Sequence, residues 1–262
     1  MSHHLVQMQQ TGFVYPDGRS ALEDVSFTIH HGESVGLVGA NGAGKSTLLL
    51  LLVGVLMPTQ GEVRVGDWPV TKSTLAEIRR RVGFVFQDPD DQLFMPTVGE
   101  DVAFGPLQQQ LPTSEVEQRV TRALTQVGAL HLAPRPLHRL SGGERRAVAI
   151  ASVLATAPDI LLLDEPSASL DPGTRRQLIQ WLGEFRHTRI VASHDLDLVF
   201  EACARTVVLR DGRVLADGPT ERLLADPELL AKAGLELPLR LQGCPRCASS
   251  NAASQEKPSG SE

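Results

Sequence analysis

The run Gly39-Ala40-Asn41-Gly42-Ala43-Gly44-Lys45-Ser46 constrains this chain more than any other part of it. It fits the pattern G-x-x-x-x-G-K-[ST] and stands where that pattern has physical meaning, after an apolar strand over Ser34–Val38 and before a strongly apolar helix expected over Ser46–Val55. Glycines let consecutive backbone N–H groups converge on phosphate oxygens, and the start of the helix adds its dipole. Lys45 then supplies a mobile charge to the β- and γ-phosphates, and the Ser46 hydroxyl is the expected Mg2+ ligand. Lysine is scarce here, four of the 25 basic residues, so a lysine at this point fits a site that needs a compact ammonium instead of a planar fork. A chance glycine-rich turn is the weaker reading, and the segment is read as a nucleotide site.

A strand, a loop and a helix imply more of the same around them. Before the loop, Leu5–Val14 and Ala21–Ile29 read as two strands joined by the turn Tyr15-Pro16-Asp17-Gly18. After it come strand Glu62–Val65, a short helix Thr74–Arg81 and strand Val82–Phe86. From Val98 to Leu140 the pattern turns helical with two Pro-rich breaks, and Ser114 with Glu117 three residues on reads as a capping box for a helix reaching Val127. A further helix is expected over Ser141–Ala155. Strands and helices then alternate: Ile160–Leu163, a helix over Asp171–Phe185 with Asp171-Pro172 as its cap, Arg189–Ala192, a helix to Ala202, and strands Val207–Leu209 and Arg213–Ala216. Alternating elements predict a parallel sheet covered by helices, with 98–140 as a helical insertion.

Composition excludes several classes. With 25 Lys+Arg against 31 Asp+Glu the net charge is −6, a poor match for nucleic acid or anionic lipid. The longest apolar run, Leu48–Leu56, is about half of the ~20 residues that a membrane-spanning helix needs. Met1-Ser2-His3-His4 carries no basic and apolar leader, and three cysteines make no disulfide framework, so a cytosolic globular protein is expected.

A second pair of residues narrows the chemistry. Ile160-Leu161-Leu162-Leu163 ends in Asp164-Glu165, and at the carboxyl end of a parallel strand Asp164 can reach the Mg2+ shell while Glu165 polarises a water lined up on the γ-phosphate. Two solvated acids at a strand end are the bland alternative, which so apolar a strand disfavours. Upstream, Leu140-Ser141-Gly142-Gly143-Glu144 opens a helix. Ser141 and Glu144 alone make a capping box, with the glycines as a turn. Yet two glycines after the cap bare the helix's first N–H groups, a second anion site. Two phosphate sites in one chain suggest that one serves a neighbour's nucleotide.

With these motifs in hand, the chain resembles the nucleotide-binding subunit of an ATP-binding cassette transporter, from residue 5 to about 218. The resemblance implies an α/β fold, a P-loop NTPase (RecA-like) parallel-sheet core with an N-terminal antiparallel β subdomain and a helical insertion subdomain. It implies one cassette over 1–222 (helical subdomain about 96–157), a short helical extension over 223–240 and a disordered tail over 241–262. Tyr15, the only tyrosine, stands where the family stacks an aromatic ring on adenine. Gly39, Asn41, Gly42, Gly44, Lys45, Ser46 and Thr47 are then nucleotide contacts. Gln87 matches the Q-loop glutamine, Leu140–Glu144 the signature motif, Ser169-Leu170-Asp171 the D-loop and His194 the switch histidine. In the family two cassettes close head to tail, so Lys45 of one chain and Ser141, Gly142, Gly143 and Asp171 of the other surround one ATP. Glu165 is the implied general base, His194 the γ-phosphate sensor, and Ser46, Gln87 and Asp164 the Mg2+ set.

Finer features are similar to one branch. Phe86-Gln87-Asp88-Pro89-Asp90-Asp91-Gln92-Leu93-Phe94, Pro96–Val98 and Glu100–Pro106 resemble the ATPases of energy-coupling factor importers, which take up vitamins or transition-metal ions. Phe104–Leu107 and Gly234–Pro238 look most like the cobalt/nickel branch. The resemblance implies a second ATPase chain (homodimer or heterodimer), an integral membrane coupling protein whose arginine could meet Asp90 and Asp91, a substrate-binding membrane subunit, no nucleic acid, and a peripheral place on the cytoplasmic face of the cell membrane. A vitamin cargo is one alternative. A soluble cassette acting on DNA or ribosomes is another, disfavoured by the single cassette and by the mere 53 residues between Gln87 and Ser141, and a small-molecule kinase is disfavoured by the signature motif. His3-His4, His30-His31 and Cys244-x-x-Cys247 invite a metal reading, but a lone C-x-x-C lacks the second pair of a structural zinc site. Cys203 is read as a core thiol.

Overall fold

The computed structural model describes residues 4–168 and 170–242, without the side chain of His4. Two sheets carry it. Strands β1 (His4–Val14), β2 (Ser20–His30), β4 (Gln60–Val65) and β5 (Trp68–Pro69) form an antiparallel sheet in the order β2-β1-β4-β5. Strands β3 (Ser34–Val38), β6 (Val82–Val85), β7 (Ile160–Asp164), β8 (Thr188–Ala192), β9 (Arg205–Arg210) and β10 (Arg213–Pro219) form the second, ordered β10-β9-β3-β8-β7-β6. In that sheet only β10 runs antiparallel, returning through Asp211-Gly212, whose φ angles of +48° and +74° suit the tight turn of a twisted hairpin.

Strand β7 shows why its sequence is continuously apolar. Ile160 and Leu162 pack into the layer between the two sheets, while Leu161 and Leu163 face the helices on the other side. A strand buried on both faces has no side left for polar residues. Helix α1 (Lys45–Leu52) lies in the first layer, where Leu48, Leu49, Leu51 and Leu52 are all buried. It is apolar all round because neither side meets water. Helices α6 (Pro172–Glu184) and α7 (Leu196–Ala202) cover the other face of the parallel sheet. Helices α3 (Val98–Gln108), α4 (Thr113–Gln126) and α5 (Gly142–Leu154) enclose a separate apolar cluster around Val102, Leu124 and Val148.

Local details differ from the sequence reading. Helix α1 ends at Leu52, short of Val55, because Gly54 takes a left-handed φ of +64°. The expected Ser114–Glu117 capping box does not form: α4 starts one residue earlier, Pro112 holds the cap position, and Ser114 is already inside the helix. The same S/T-x-x-E pattern operates instead at Thr97 and Glu100, which cap α3 reciprocally. The short strand β5 is an addition to the sequence reading. After β10 come helices α8 (Thr220–Leu223) and α9 (Pro227–Lys232), and Leu235 and Leu237 pack on the α6–α7 layer. Leu241, assigned above to a disordered tail, closes a 3-10 turn over Leu239–Leu241. Residues 243–262 of that tail, with Cys244 and Cys247, and His3 and Ser169, lie outside the described residues.

Candidate functional site

The loop between β3 and α1 curls because two glycines take φ values closed to most side chains, +81° at Gly42 and +103° at Gly44. Gly39 serves a different need: a Cβ there would stand 2.4 Å from the Leu209 carbonyl oxygen. The curl brings the buried Lys45 back over its own loop, where Nζ donates to the carbonyls of Gly39 (2.8 Å) and Ala40 (3.3 Å). Nζ also lies 3.8 Å from Glu165 Oε1. Burial pulls the Lys45 ammonium below the usual lysine range, against the opposing pull of Glu165 and Asp164. A charge so short of water is prepared for phosphate oxygens.

The end of β7 delivers the acids. Asp164 is buried, and burial raises its proton affinity above the usual carboxylate range, with Glu165 adding to the rise and a hydrogen bond from Ser46 opposing it. Its Oδ1 is buried with no hydrogen-bond partner. An orphaned carboxylate oxygen on the residue that binds Ser46, beside a cleft that Gln87 also lines, fits a hard divalent cation such as Mg2+, which takes oxygen ligands. Glu165 adopts φ +46°, its Oε2 accepts the Ser193 hydroxyl (3.1 Å) and the His194 N–H (3.2 Å), and it sits 2.8 Å from His194 Nδ1.

Lys45, Glu165 and His194 line one cleft of about 370 Å3 with Tyr15, Asn41, Gly42, Gly44, Ser46, Thr47 and Gln87, and Asp164 is linked to it through its hydrogen bond with Ser46. Thr47 Oγ1 lies 2.9 Å from the Tyr15 hydroxyl, Phe13 meets the Tyr15 ring edge-on, and the Arg19 guanidinium lies 4.9 Å over that ring. Thr47 and Tyr15, both expected at the nucleotide, thus stand together on this cleft.

Ser141, Gly142, Gly143 and Asp171 are absent from this cleft. Ser141 and Glu144 do form the reciprocal box that caps α5, and the hydrogen bond from the Ser141 N–H, with the help of Arg135, holds the Glu144 carboxyl below its usual range. Gly143 lies beside Thr174 and Asp171 at the start of α6. The Asp171 carboxylate takes the Thr174 hydroxyl and the N–H groups of Thr174 and Gly173, which keeps it below the usual range. The first group gathers on one side of the chain's own nucleotide cleft, and the second group forms a separate patch.

Three residues were missed by the sequence reading. Ser193 and Arg19 have just been placed. The third is the buried Arg146, one turn into α5, which donates to the carbonyls of Phe86 (2.8 Å) and Gln87 (2.5 Å). Its neighbour Arg145 grips Asp90 through both carboxylate oxygens (2.7 and 2.9 Å), so that acid, offered above to a membrane partner, is engaged within the chain. Among the described residues no group of three His, Cys, Asp or Glu side chains is arranged to hold a metal ion, and Cys203 is a buried thiol whose desolvation pushes it up to about 12.

Comparisons with known proteins complete the description. A family model described as ABC transporter matches residues 22–168. Over 247 residues, 94% of this chain and 99% of the other, the sequence is 62% identical to a Geobacter sulfurreducens protein that carries the name of an ABC transporter ATP-binding protein. Over 240 residues, 90% of this chain and 86% of the other, it is 45% identical to the energy-coupling factor transporter ATP-binding protein EcfA of Methanocaldococcus jannaschii. The solved structure of cbiO1 from Clostridium perfringens, described as part of the ABC transporter complex cbiONQ, matches with a TM-score of 0.80 and 35% identity over 96% of this chain and 100% of that one.

Proposed function

This chain belongs to the ABC transporter family, and from that premise we propose that it is the ATP-hydrolysing subunit of an energy-coupling factor importer, with cobalt or nickel ions as cargo. The observation that carries the hydrolytic part is the convergence of Lys45, Ser46, Glu165 and His194 on one cleft, with Asp164 hydrogen-bonded to Ser46. Tyr15 offers its ring to the adenine. Lys45 exchanges the carbonyls of Gly39 and Ala40 for phosphate oxygens, and the N–H groups of the loop and of α1 bind the same anion. Ser46, Asp164 and Gln87 would hold Mg2+, which when bound would neutralise charge on the β- and γ-phosphates. Glu165 takes a proton from the water whose oxygen attacks the γ-phosphorus, the bond to the β-phosphate bridging oxygen breaks, and ADP leaves with that electron pair. His194, held to Glu165 and exposed to the cleft, is placed to answer the γ-phosphate.

The detached patch formed by Ser141, Gly142, Gly143 and Asp171 supports a second reading of the assembly: it completes the cleft of another ATPase chain instead of its own. The energy-coupling factor class rests on the name of the archaeal relative, and the metal cargo on the cbiO1 likeness and on Phe104–Leu107 and Gly234–Pro238. Among the described residues no helix is long and apolar enough to cross a membrane, so membrane partners would supply the span and the peripheral address. The exposed Phe94 and Leu107, with Asp91, offer such a partner a surface beside the Gln87 loop.

Affinity purification of the full chain from detergent-solubilised membranes tests this. Recovery of a membrane coupling protein with a cobalt- or nickel-binding subunit is the expected result. A vitamin-binding subunit in its place would overturn the metal cargo, and a set of soluble partners alone would overturn the importer.

A further inference from the structure

Beside the cleft lies a buried hydroxyl that the reading above leaves unused. Ser193 follows the last residue of β8 and is fully buried. Its backbone N–H donates to the carbonyl of Leu37 (3.1 Å) on β3, the strand that runs into the phosphate loop. Its Oγ accepts the Asp195 N–H at 3.0 Å and stands 3.1 Å from Glu165 Oε2. A serine hydroxyl carries one proton and two lone pairs. Because an N–H already occupies the acceptor side and a carboxylate oxygen waits on the other, the proton is directed at Glu165.

Glu165 is anchored to the same place by its backbone. Its N–H donates to the Ala192 carbonyl (2.8 Å), and its φ of +46° is one that few side-chain-bearing residues adopt. Of the donors on Oε2, the His194 ring belongs to a side chain 62% exposed, free to leave when a nucleotide enters. The Ser193 hydroxyl is enclosed and constrained from β3, from Asp195 and from Glu165. Holding Oε2 at the back of the cleft leaves Oε1 on the side of Lys45.

We propose that Ser193 is a positioning residue for hydrolysis: its hydroxyl pins one oxygen of the Glu165 carboxylate so that the other meets the attacking water. The role rests on Glu165 as general base, and the test separates the two. The purified full chain is compared with Ser193→Ala, Ser193→Thr, Glu165→Gln and the Ser193→Ala/Glu165→Gln double variant, by ATP turnover and by binding of a fluorescent non-hydrolysable ATP analogue.

Glu165→Gln is expected to lower kcat by roughly 10²–10⁴-fold, the usual worth of a general base. Ser193→Ala is expected to lower kcat by about 10-fold, the scale of a lost hydrogen bond to a charged group, while analogue binding stays within about twofold. Ser193→Thr, which keeps the hydroxyl, restores turnover, and in the Glu165→Gln background Ser193→Ala changes kcat by less than about twofold because its target is gone. An unmoved turnover in Ser193→Ala, beside an impaired Glu165→Gln, would overturn the role of Ser193 and leave the base intact. An equal loss in both backgrounds would overturn it in favour of plain structural support. An unimpaired Glu165→Gln removes the base and the proposal together.

Discussion

Arg146 is the most exposing perturbation, because two large effects of opposite sign meet there. The guanidinium is 4% exposed, its Nε has no partner, and burial lowers its pKa, with Asp88 and Asp164 opposing. Against that cost stand the bonds to the Phe86 and Gln87 carbonyls. Two hydrogen bonds from a charged donor contribute about 1.5–3 kcal/mol each. The aliphatic stem adds about 0.8 kcal/mol for each of its methylenes. Desolvating the ion takes back several kcal/mol. Arg146→Met keeps the stem and deletes both the bonds and the ion, so the terms nearly cancel and global stability changes by about 0–2 kcal/mol. Arg146→Ala also loses the packing of the stem and is expected to cost about 2–4 kcal/mol. Function is expected to follow another order. Both variants free the carbonyl of Gln87, a residue that lines the cleft, so both should lose about 10-fold in ATP turnover and show faster amide exchange over residues 86–88. Urea unfolding, hydrogen exchange and steady-state turnover measure the three quantities. A methionine variant with wild-type turnover and exchange would refute the idea that Arg146 restrains the Gln87 loop. Equal destabilisation of both variants by more than about 4 kcal/mol would refute the cancellation.

Two further outcomes can be checked. Burial holds Lys45 below the usual lysine range in the open cleft, and phosphate oxygens favour its charged form, so its pKa is higher with nucleotide than without. Between those two values binding takes up a proton, and affinity falls as pH rises. Calorimetric titration at about pH 9–10 in two buffers of different ionisation enthalpy should show that uptake, and Lys45→Ala should lack it; a pH-independent affinity refutes the reading. Ser141→Arg and Lys45→Ala should each abolish hydrolysis, yet an equal mixture of the two should recover about a quarter of the wild-type rate, since half of randomly formed head-to-tail dimers carry one intact site of two. No recovery refutes the shared cleft.

What was legible in the sequence was local. The loop from Gly39 to Ser46 and the acids after Leu163 announce themselves because their chemistry depends on neighbours along the chain and on the type of element before them. Ser193 was invisible for the opposite reason: its partner Glu165 lies 28 residues away, and a serine beside a histidine carries no signal of its own. Arg146 touches the Gln87 loop across 59 residues and sits in a helix where one arginine looks like any other. The contact between Thr47 and Tyr15 likewise spans 32 residues, and nothing in either segment announces it. The capping boxes show ambiguity of another kind. At helix starts the S/T-x-x-E pattern occurs at Thr74, Thr97, Ser114 and Ser141, and only Thr97 and Ser141 act as caps; at Ser114 the helix has already begun behind Pro112.

The patch at Gly143 has a consequence for where charge can settle. The amino ends of α5 and α6 stand side by side there, each with positive partial charge on its first N–H groups. They are not equivalent poles. At α6 the Asp171 carboxylate, kept ionised by three hydrogen bonds, answers the field of its own helix. At α5 the capping Ser141 is neutral, the two glycines that follow leave the backbone bare, and the acid that closes the box is turned toward Arg135. An incoming polyanion therefore meets one neutralised helix end and one live one within a few ångströms, and the difference tells it where to bind.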